Sequence, residues 1–313
     1  MAFTRAEAFA PATLANLGVG FDILGLAVPG AGDTVAAAWQ DTPGVTIVAI
    51  EGDGGRLPKE ASRNVASIAA QAVLHQLGET KGVRLWLKKG LPLASGLGSS
   101  AASAVAAALA VNALAGDPLG TADLLPASLE GEAAVSGYHA DNVAPCLFGG
   151  ITLTNGITPD KIRCLPVPEN LYLALVTPDV EVPTAQARAA LPAQVSLKTM
   201  VHQTGAVAEL VDAIYRGDVA AMAAAMEDDH VIEPARAFLM PHLAEVRRAA
   251  KSAGALGMVI SGAGPTLCAV CDSPSAAEQA AAAMHRVYSN HAMTSTARHG
   301  RVLRQGAFVI NRS

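Results

Sequence analysis

Charge is scarce in this chain. Of 313 residues, 16% are Asp, Glu, Lys or Arg, against 51% that are apolar. Disorder needs the opposite balance, so an extended unfolded chain is excluded. Alanine inflates the apolar share, yet this length can bury a large core in one or two domains. Basic residues number 22 against 27 acidic ones, a formal net charge of −5. No block of Lys or Arg occurs, which argues against nucleic acid as a partner. No apolar run suits a bilayer; the alanine-rich stretch 101–111 is too short and too weakly hydrophobic, so no membrane partner is expected. With Arg5, polar Thr4 and Glu7 and an early Pro11, the N-terminus does not read as a signal peptide. Only four cysteines are present. They imply free thiols in a reducing compartment, so a cytoplasmic location is expected. Cys268-Ala269-Val270-Cys271 sits in a strand-like apolar run. Residues three apart on a strand face opposite ways, so these two cannot share a metal and are expected in the core.

Also missing is any G-x-x-x-x-G-K-[ST] stretch, which excludes a P-loop. What stands instead is Leu91-Pro92-Leu93-Ala94-Ser95-Gly96-Leu97-Gly98-Ser99-Ser100-Ala101-Ala102, running into an alanine-rich segment that ends at Gly116-Asp117-Pro118. It reads as a glycine loop feeding a helix N-terminus. Gly96 and Gly98 permit a sharp turn and close approach of a ligand. Ser99 to Ala102 supply free N–H groups backed by the helix dipole, an anion site suited to a di- or triphosphate. Gly96, Gly98 and Ala101 also satisfy the dinucleotide pattern G-x-G-x-x-A. The context is wrong for it: the preceding strand Val83–Lys88 alternates apolar and polar, and residues 89–95 separate it from Gly96. Locally, a glycine loop that merely turns the chain is the plain alternative.

No internal repeat, low-complexity tract or long linker interrupts the chain. Strand-like runs fall at 34–39, 45–50, 83–88, 150–154, 171–176, 258–261 and 267–270. Helical patterns run over 64–77, 99–115, 121–136, 197–215, 219–226, 235–251 and 275–288, with Gly78 a C-cap for the first. Their irregular interleaving predicts an α+β fold rather than a doubly wound sheet. Pro166-Val167-Pro168 is the best boundary, giving domains 1–166 and 167–313.

Three stretches match one family in order. Pro92, Gly96, Leu97, Ser99, Ser100 and Ala101 fit the nucleotide-loop motif of the GHMP kinases, which chain positions 11–25 (PATLANLGVGFDILG) and 261–266 (SGAGPT) also resemble. Asn16-Leu17-Gly18-x-Gly20-Phe21-Asp22 and Gly137-Tyr138-His139-Ala140-Asp141-Asn142 resemble the branch of that family acting on homoserine. The resemblance implies a ribosomal-S5-like N-terminal domain, a ferredoxin-like C-terminal domain, and transfer of phosphate from ATP with Mg²⁺ to L-homoserine. It places the nucleotide on Pro92, Leu93, Ala94, Ser95, Gly96, Leu97, Gly98, Ser99, Ser100, Ala101 and Ala102, with Asn64 beside the base. Mg²⁺ falls to Ser100 and Glu132; one residue between Gly137 and His139, where two are expected, keeps Glu130 as an alternative. Asn16 and Asp22 match the ammonium contacts, Arg188 and Arg236 the carboxylate contacts. His139, Asn142 and Thr184 match groups near the acceptor hydroxyl. Family members commonly dimerise, so a homodimer is an expectation of the resemblance.

By local rules alone these residues have plainer readings: Asp22 an Asx turn, each Arg a surface residue, Asn64 a helix cap. A mevalonate or sugar kinase of the same fold is a rival, but those substrates lack an ammonium, and no Lys matches the one a mevalonate kinase would carry at the acceptor. A catalytically dead nucleotide-binding regulator is another; the intact Ser99, Ser100, Glu132 and Asn142 argue against it.

Overall fold

The computed structural model describes residues 3–313. The chain runs through β1 (Arg5–Ala15), β2 (Leu24–Gln40), β3 (Val45–Glu51), α1 (Val65–Leu77), β4 (Gly82–Lys88), α2 (Ser99–Leu114), α3 (Leu125–Ala133), α4 (Ala140–Phe148), β5 (Ile151–Thr154) and β6 (Ile162–Leu165). It continues through β7 (Tyr172–Pro178), α5 (Thr184–Ala189), α6 (Leu197–Arg216), α7 (Val219–Glu227), α8 (Ile232–Arg236), α9 (Leu243–Ser252), β8 (Gly257–Ile260), β9 (Leu267–Cys271), α10 (Pro274–Asn290), β10 (Ser295–Arg301) and β11 (Phe308–Arg312).

Alanine on every face makes α2 the centre of the first layer. A helix apolar all round belongs inside. All but three of its residues are buried, enclosed by β1, β2, α1, α3 and α4. The first sheet has the order β11-β1-β2-β4-β3, with β5 branching from β2 and β6 from β5. Among the described residues only β3 and β4 pair in parallel, and α1 is their crossover. Asn64 caps α1 by accepting from the Ala66 N–H at 3.0 Å, and left-handed Gly78 closes it.

The second sheet, β10-β7-β9-β8, is antiparallel. α9 and α10 cover one face; α7 and the first layer cover the other. Every residue of β9 is therefore buried. Cys268 and Cys271 do face opposite ways, Cys268 into the larger core and Cys271 into the core beneath α9 and α10, both as free thiols.

Several elements depart from the expected pattern. The helix expected over 235–251 breaks into α8 and α9, because Pro241 lacks an N–H to continue the ladder and His242 takes a left-handed φ of 55°. Residues 121–124 open their helix as a 3-10 turn, and α3 stops at Ala133. Two helices, α4 and α5, and strands β1, β6, β10 and β11 were not anticipated. Around residues 166/167 the chain passes from the first sheet to the second, but β11 crosses back to pair with β1.

Candidate active site

One cleft of about 370 Å³ opens between the two layers. Its floor is the segment from Leu93 to Ser100. Ala94, Gly96 and Gly98 have φ of 50°, 77° and 63°, alternating with ordinary residues. Alternating handedness turns successive N–H groups to one side, a concave nest for an anion. Among the described residues, no N–H from Ser95 to Ala101 donates to another protein group. Gly98 is also the N-cap of α2 and offers no side chain to satisfy that terminus. A Cβ at Gly98 would collide with the Thr13 hydroxyl, and one at Gly96 with the carbonyls of Ser261 and Gly264. The loop is thus held by backbone packing on both flanks and keeps its donors unspent.

The turn 261–266 between β8 and β9 is one of those flanks. Ser261 Oγ donates to Gly96 O at 2.6 Å and Thr266 Oγ1 to Ser95 O at 2.7 Å. The Asn16 amide joins the same seam, donating to Gly262 O at 3.0 Å and accepting from the Asp22 N–H at 3.1 Å. Asn16, Leu17 and Asp22 all have positive φ, 76°, 48° and 60°, so this loop carries strain beside the cleft.

Behind the floor stands a group that no sequence motif marked. Lys89, its side chain buried, pairs with Asp33 and donates to Ser99 O at 2.9 Å and Ser103 Oγ at 2.8 Å. Asp33 is completed by Ser103 and by the N–H groups of Gly90 and Leu91. This network ties the start of α2 to β2 and places the buried Lys89–Asp33 ion pair under the concave nest. Its only sequence signal was a lysine directly after an alternating strand.

The first turn of α4 enters the opposite wall. Thr13 Oγ1 donates to Asn142 Oδ1 at 2.7 Å, which leaves the Asn142 NH₂ as the group offered to a ligand. Asp141 is 4% exposed, and its carboxylate accepts no hydrogen bond from another residue. Burial, aided by Asp22 and Glu132, pushes its pKa up to about 7. His139 lies 3.6 Å from Asp22; burial is the largest effect on its ring and lowers its pKa, with Asp22 opposing that shift and Arg188 adding to it.

Arg188, on α5, makes a bidentate pair with Asp22 at 2.8 and 3.1 Å. Arg236 closes α8. It is 3% exposed and donates to Ala187 O at 3.1 Å and Gly262 O at 3.0 Å. Both guanidinium groups lie over the Phe21 ring, 5.5 and 5.1 Å from its centroid. Two adjacent arginines in a cleft suit a carboxylate.

Glu132 lines the cleft, whereas Glu130 lies outside it, exposed and bonded to Tyr138. Glu132 accepts from Ser136, but its Oε2 is buried without a partner. Burial raises its pKa; the Ser136 and Ser100 hydroxyls and Lys89 oppose that shift. An orphaned carboxylate oxygen near a hydroxyl, beside a phosphate nest, fits a hard divalent cation.

Asn16, Asp22, Leu93, Ala94, Ser95, Gly96, Gly98, Ser99, Ser100, Glu132, His139, Asn142, Thr184, Arg188 and Arg236 all meet in this cleft, although they span more than two hundred residues. Pro92, Leu97, Ala101 and Ala102 do not line it; Leu97, Ala101 and Ala102 pack in the core beneath it. Asn64 is 3% exposed and spent on capping α1, while Leu57 and Val65 face the cleft near it.

Family models agree with this picture. Residues 64–150 match the GHMP kinases N-terminal domain, and residues 210–290 the GHMP kinases C-terminal domain. The chain is 47% identical to a homoserine kinase of Arabidopsis thaliana over 87% of its length and 75% of the relative's. It is 39% identical to one of Chlorobium phaeobacteroides, covering 96% and 98%. Among solved structures it resembles a homoserine kinase from Cytophaga hutchinsonii, with a TM-score of 0.94, 44% identity and 98% of each chain covered. A Leishmania major mevalonate kinase in complex with R-mevalonate shares the fold at 18% identity and a TM-score of 0.73. By family models, relatives and fold together, the chain belongs to the GHMP kinases, among the homoserine kinases.

Proposed function

We propose that this protein transfers the γ-phosphoryl group of ATP to the side-chain hydroxyl of L-homoserine, giving O-phospho-L-homoserine for threonine biosynthesis. The observation that carries the reading is one cleft holding two complementary sites. An unspent row of N–H groups suits a polyphosphate, and two arginines beside a partnerless carboxylate suit an α-amino acid.

Phosphoryl transfer is mostly positioning and charge stabilisation. The Ser95–Ala101 backbone cradles the phosphates, with Lys89 beneath. Arg188 and Arg236 grip the substrate carboxylate, and Asp22 keeps Arg188 oriented. Asp141 faces the ammonium. Asn142 presents its NH₂ to the acceptor oxygen and cannot take its proton. His139 and Thr184 complete the wall around that oxygen. A loose transition state needs little deprotonation of the nucleophile, so the transferred phosphate itself receives the proton. Mg²⁺, when bound, would neutralise phosphate charge, and Glu132 Oε2 with the Ser100 hydroxyl would hold it.

The test is ATP turnover with homoserine, mevalonate, galactose and serine as acceptors. Turnover with homoserine alone is expected. Turnover only with mevalonate or galactose, or none above background, refutes the reading.

A further inference from the structure

Outside the cleft, three side chains from two separate segments converge on one point. His202 comes from the second turn of α6, Asp228 caps the end of α7, and His230 lies in the link to α8. His202 Nε2 is 3.1 Å from Asp228 Oδ2, and His230 Nε2 is 3.4 Å from Asp228 Oδ1. The two rings stack with centroids 3.9 Å apart and planes 19° apart, so both present the same nitrogen to the same carboxylate. His202 Nε2 is buried and, despite that short distance, makes no hydrogen bond. Its approach to the oxygen is off the hydrogen-bond line. None of the three lines the catalytic cleft.

We propose that His202, Asp228 and His230 form a binding site for a divalent transition metal of the Zn²⁺ class. Imidazole nitrogen and carboxylate oxygen are the donors that suit such an ion. Bonds of about 2.0–2.1 Å in a tetrahedron put neighbouring ligand atoms roughly 3.3 Å apart. The two nitrogen–oxygen separations, 3.1 Å to Oδ2 and 3.4 Å to Oδ1, are of that size but run to different oxygens, so a turn of the Asp228 carboxylate has to bring one oxygen to both nitrogens. All three ligand atoms lie within 4.8 Å of one another, so only side-chain adjustment is needed. Water would complete the coordination on the exposed His230 side.

The site is joined to the substrate wall through Asp229, which lies between two of the ligands. Asp229 accepts from the N–H groups of Val231, Ile232 and Glu233 at 2.9, 2.9 and 2.8 Å, capping the helix that ends in Arg236. It also accepts from Gln203, the neighbour of His202, at 3.0 Å. A bound ion would therefore clamp α6 to the segment that sets Arg236. A second trio, His242, Glu245 and His291, has similar composition. There His291 already makes a 2.8 Å hydrogen bond to Glu245, and Arg248 adds positive charge to the carboxylate's surroundings. It serves as the internal comparison.

The experiment is calorimetric titration of chelator-treated full-length protein with zinc chloride, without nucleotide, paired with Co²⁺ absorption spectra. Wild type is expected to bind one tight equivalent and to show the visible bands of four-coordinate Co²⁺. His202→Ala/His230→Ala should lose at least about 100-fold in zinc affinity and lose those bands. His242→Ala/His291→Ala should keep both. His202→Gln/His230→Gln repeats the test if the alanine variant does not fold. Absence of tight binding in wild type, or equal binding in the His202/His230 variants, overturns the proposal. Loss only in the His242/His291 variant overturns it too, since the ion then belongs to the other trio.

Discussion

Homoserine should bind more weakly as pH falls from about 8 to about 6, because Asp141 takes up a proton in that window. Its pKa stands at about 7 for three reasons: burial first, then the charges of Asp22 and Glu132, with Arg188 opposing them. With that value, about nine-tenths of the carboxylates are ionised at pH 8 and about one-tenth at pH 6. If the ionised form alone receives the ammonium, Kd rises roughly tenfold over that range, about 1.4 kcal/mol. Calorimetry without nucleotide or Mg²⁺ reads this directly. At neutral pH, binding should also release up to about half a proton, seen by changing the buffer's ionisation enthalpy. Asp141→Asn should bind weakly with a flat profile, and Asp22→Asn should move the wild-type midpoint to lower pH. The same shift acts on stability. The folded pKa exceeds the ordinary value of 3.8, so the native state holds the extra proton and stability falls as pH rises through about 7. Asp141→Asn should therefore melt higher than wild type in mild base, by an amount worth up to a few kcal/mol. A Kd independent of pH, together with wild-type affinity in Asp141→Asn, would refute the argument that this carboxylate faces the ammonium.

Three further outcomes follow from the same cleft. Glu132→Gln should lower kcat by at least about 100-fold while homoserine affinity measured by calorimetry holds, and Glu130→Gln should act like wild type, since of the two carboxylates Glu132 is the one that lines the cleft with an orphaned oxygen. His139→Leu should raise KM and leave most of kcat, with kcat flat over about pH 6.5–8.5, because the reaction as proposed needs no base at the acceptor hydroxyl and burial lowers the ring's pKa; loss of all turnover with binding intact would identify the histidine as the base. Gly98→Ala should cost at least about tenfold in ATP affinity, read by nucleotide titration, because its left-handed φ and the clash with Thr13 both distort the start of α2.

The glycine loop was the most legible part of the candidate site, because glycine and serine spacing reports backbone geometry directly. The proposed substrate wall was legible only through the family resemblance, since an isolated Asp22 or Arg188 carries no local signal. Asp141 stood inside a quoted motif without a role; its importance comes from burial, which spacing does not encode. Asp33 lies on β2, Ser103 on α2 and Lys89 just past β4, and only the folded chain brings them together. In the fold, the alanine-rich α2, the alternating strand β4 and the apolar strands β7 and β9 were readable. α4 was not, because Pro145 interrupts its pattern. β10 and β11 are polar or half-exposed and lack the alternation that marks a strand.

The pairing of β11 with β1 has a consequence for how the chain is made. β1 ends at the strained loop that carries Asn16 and Asp22, yet one of its two neighbours, β11, begins only at Phe308. At about 5–20 residues per second, synthesis leaves that edge uncovered for tens of seconds. An unpaired strand edge is a template for other chains. Phe9 and Phe308, whose ring centroids lie 5.3 Å apart in the finished protein, have no contact with each other in that interval. Until Phe308 has been made, β1 can have β2 but not β11 beside it. The chain's last strand acts as a latch, and crowding on the ribosome is the circumstance in which a missing latch would matter most.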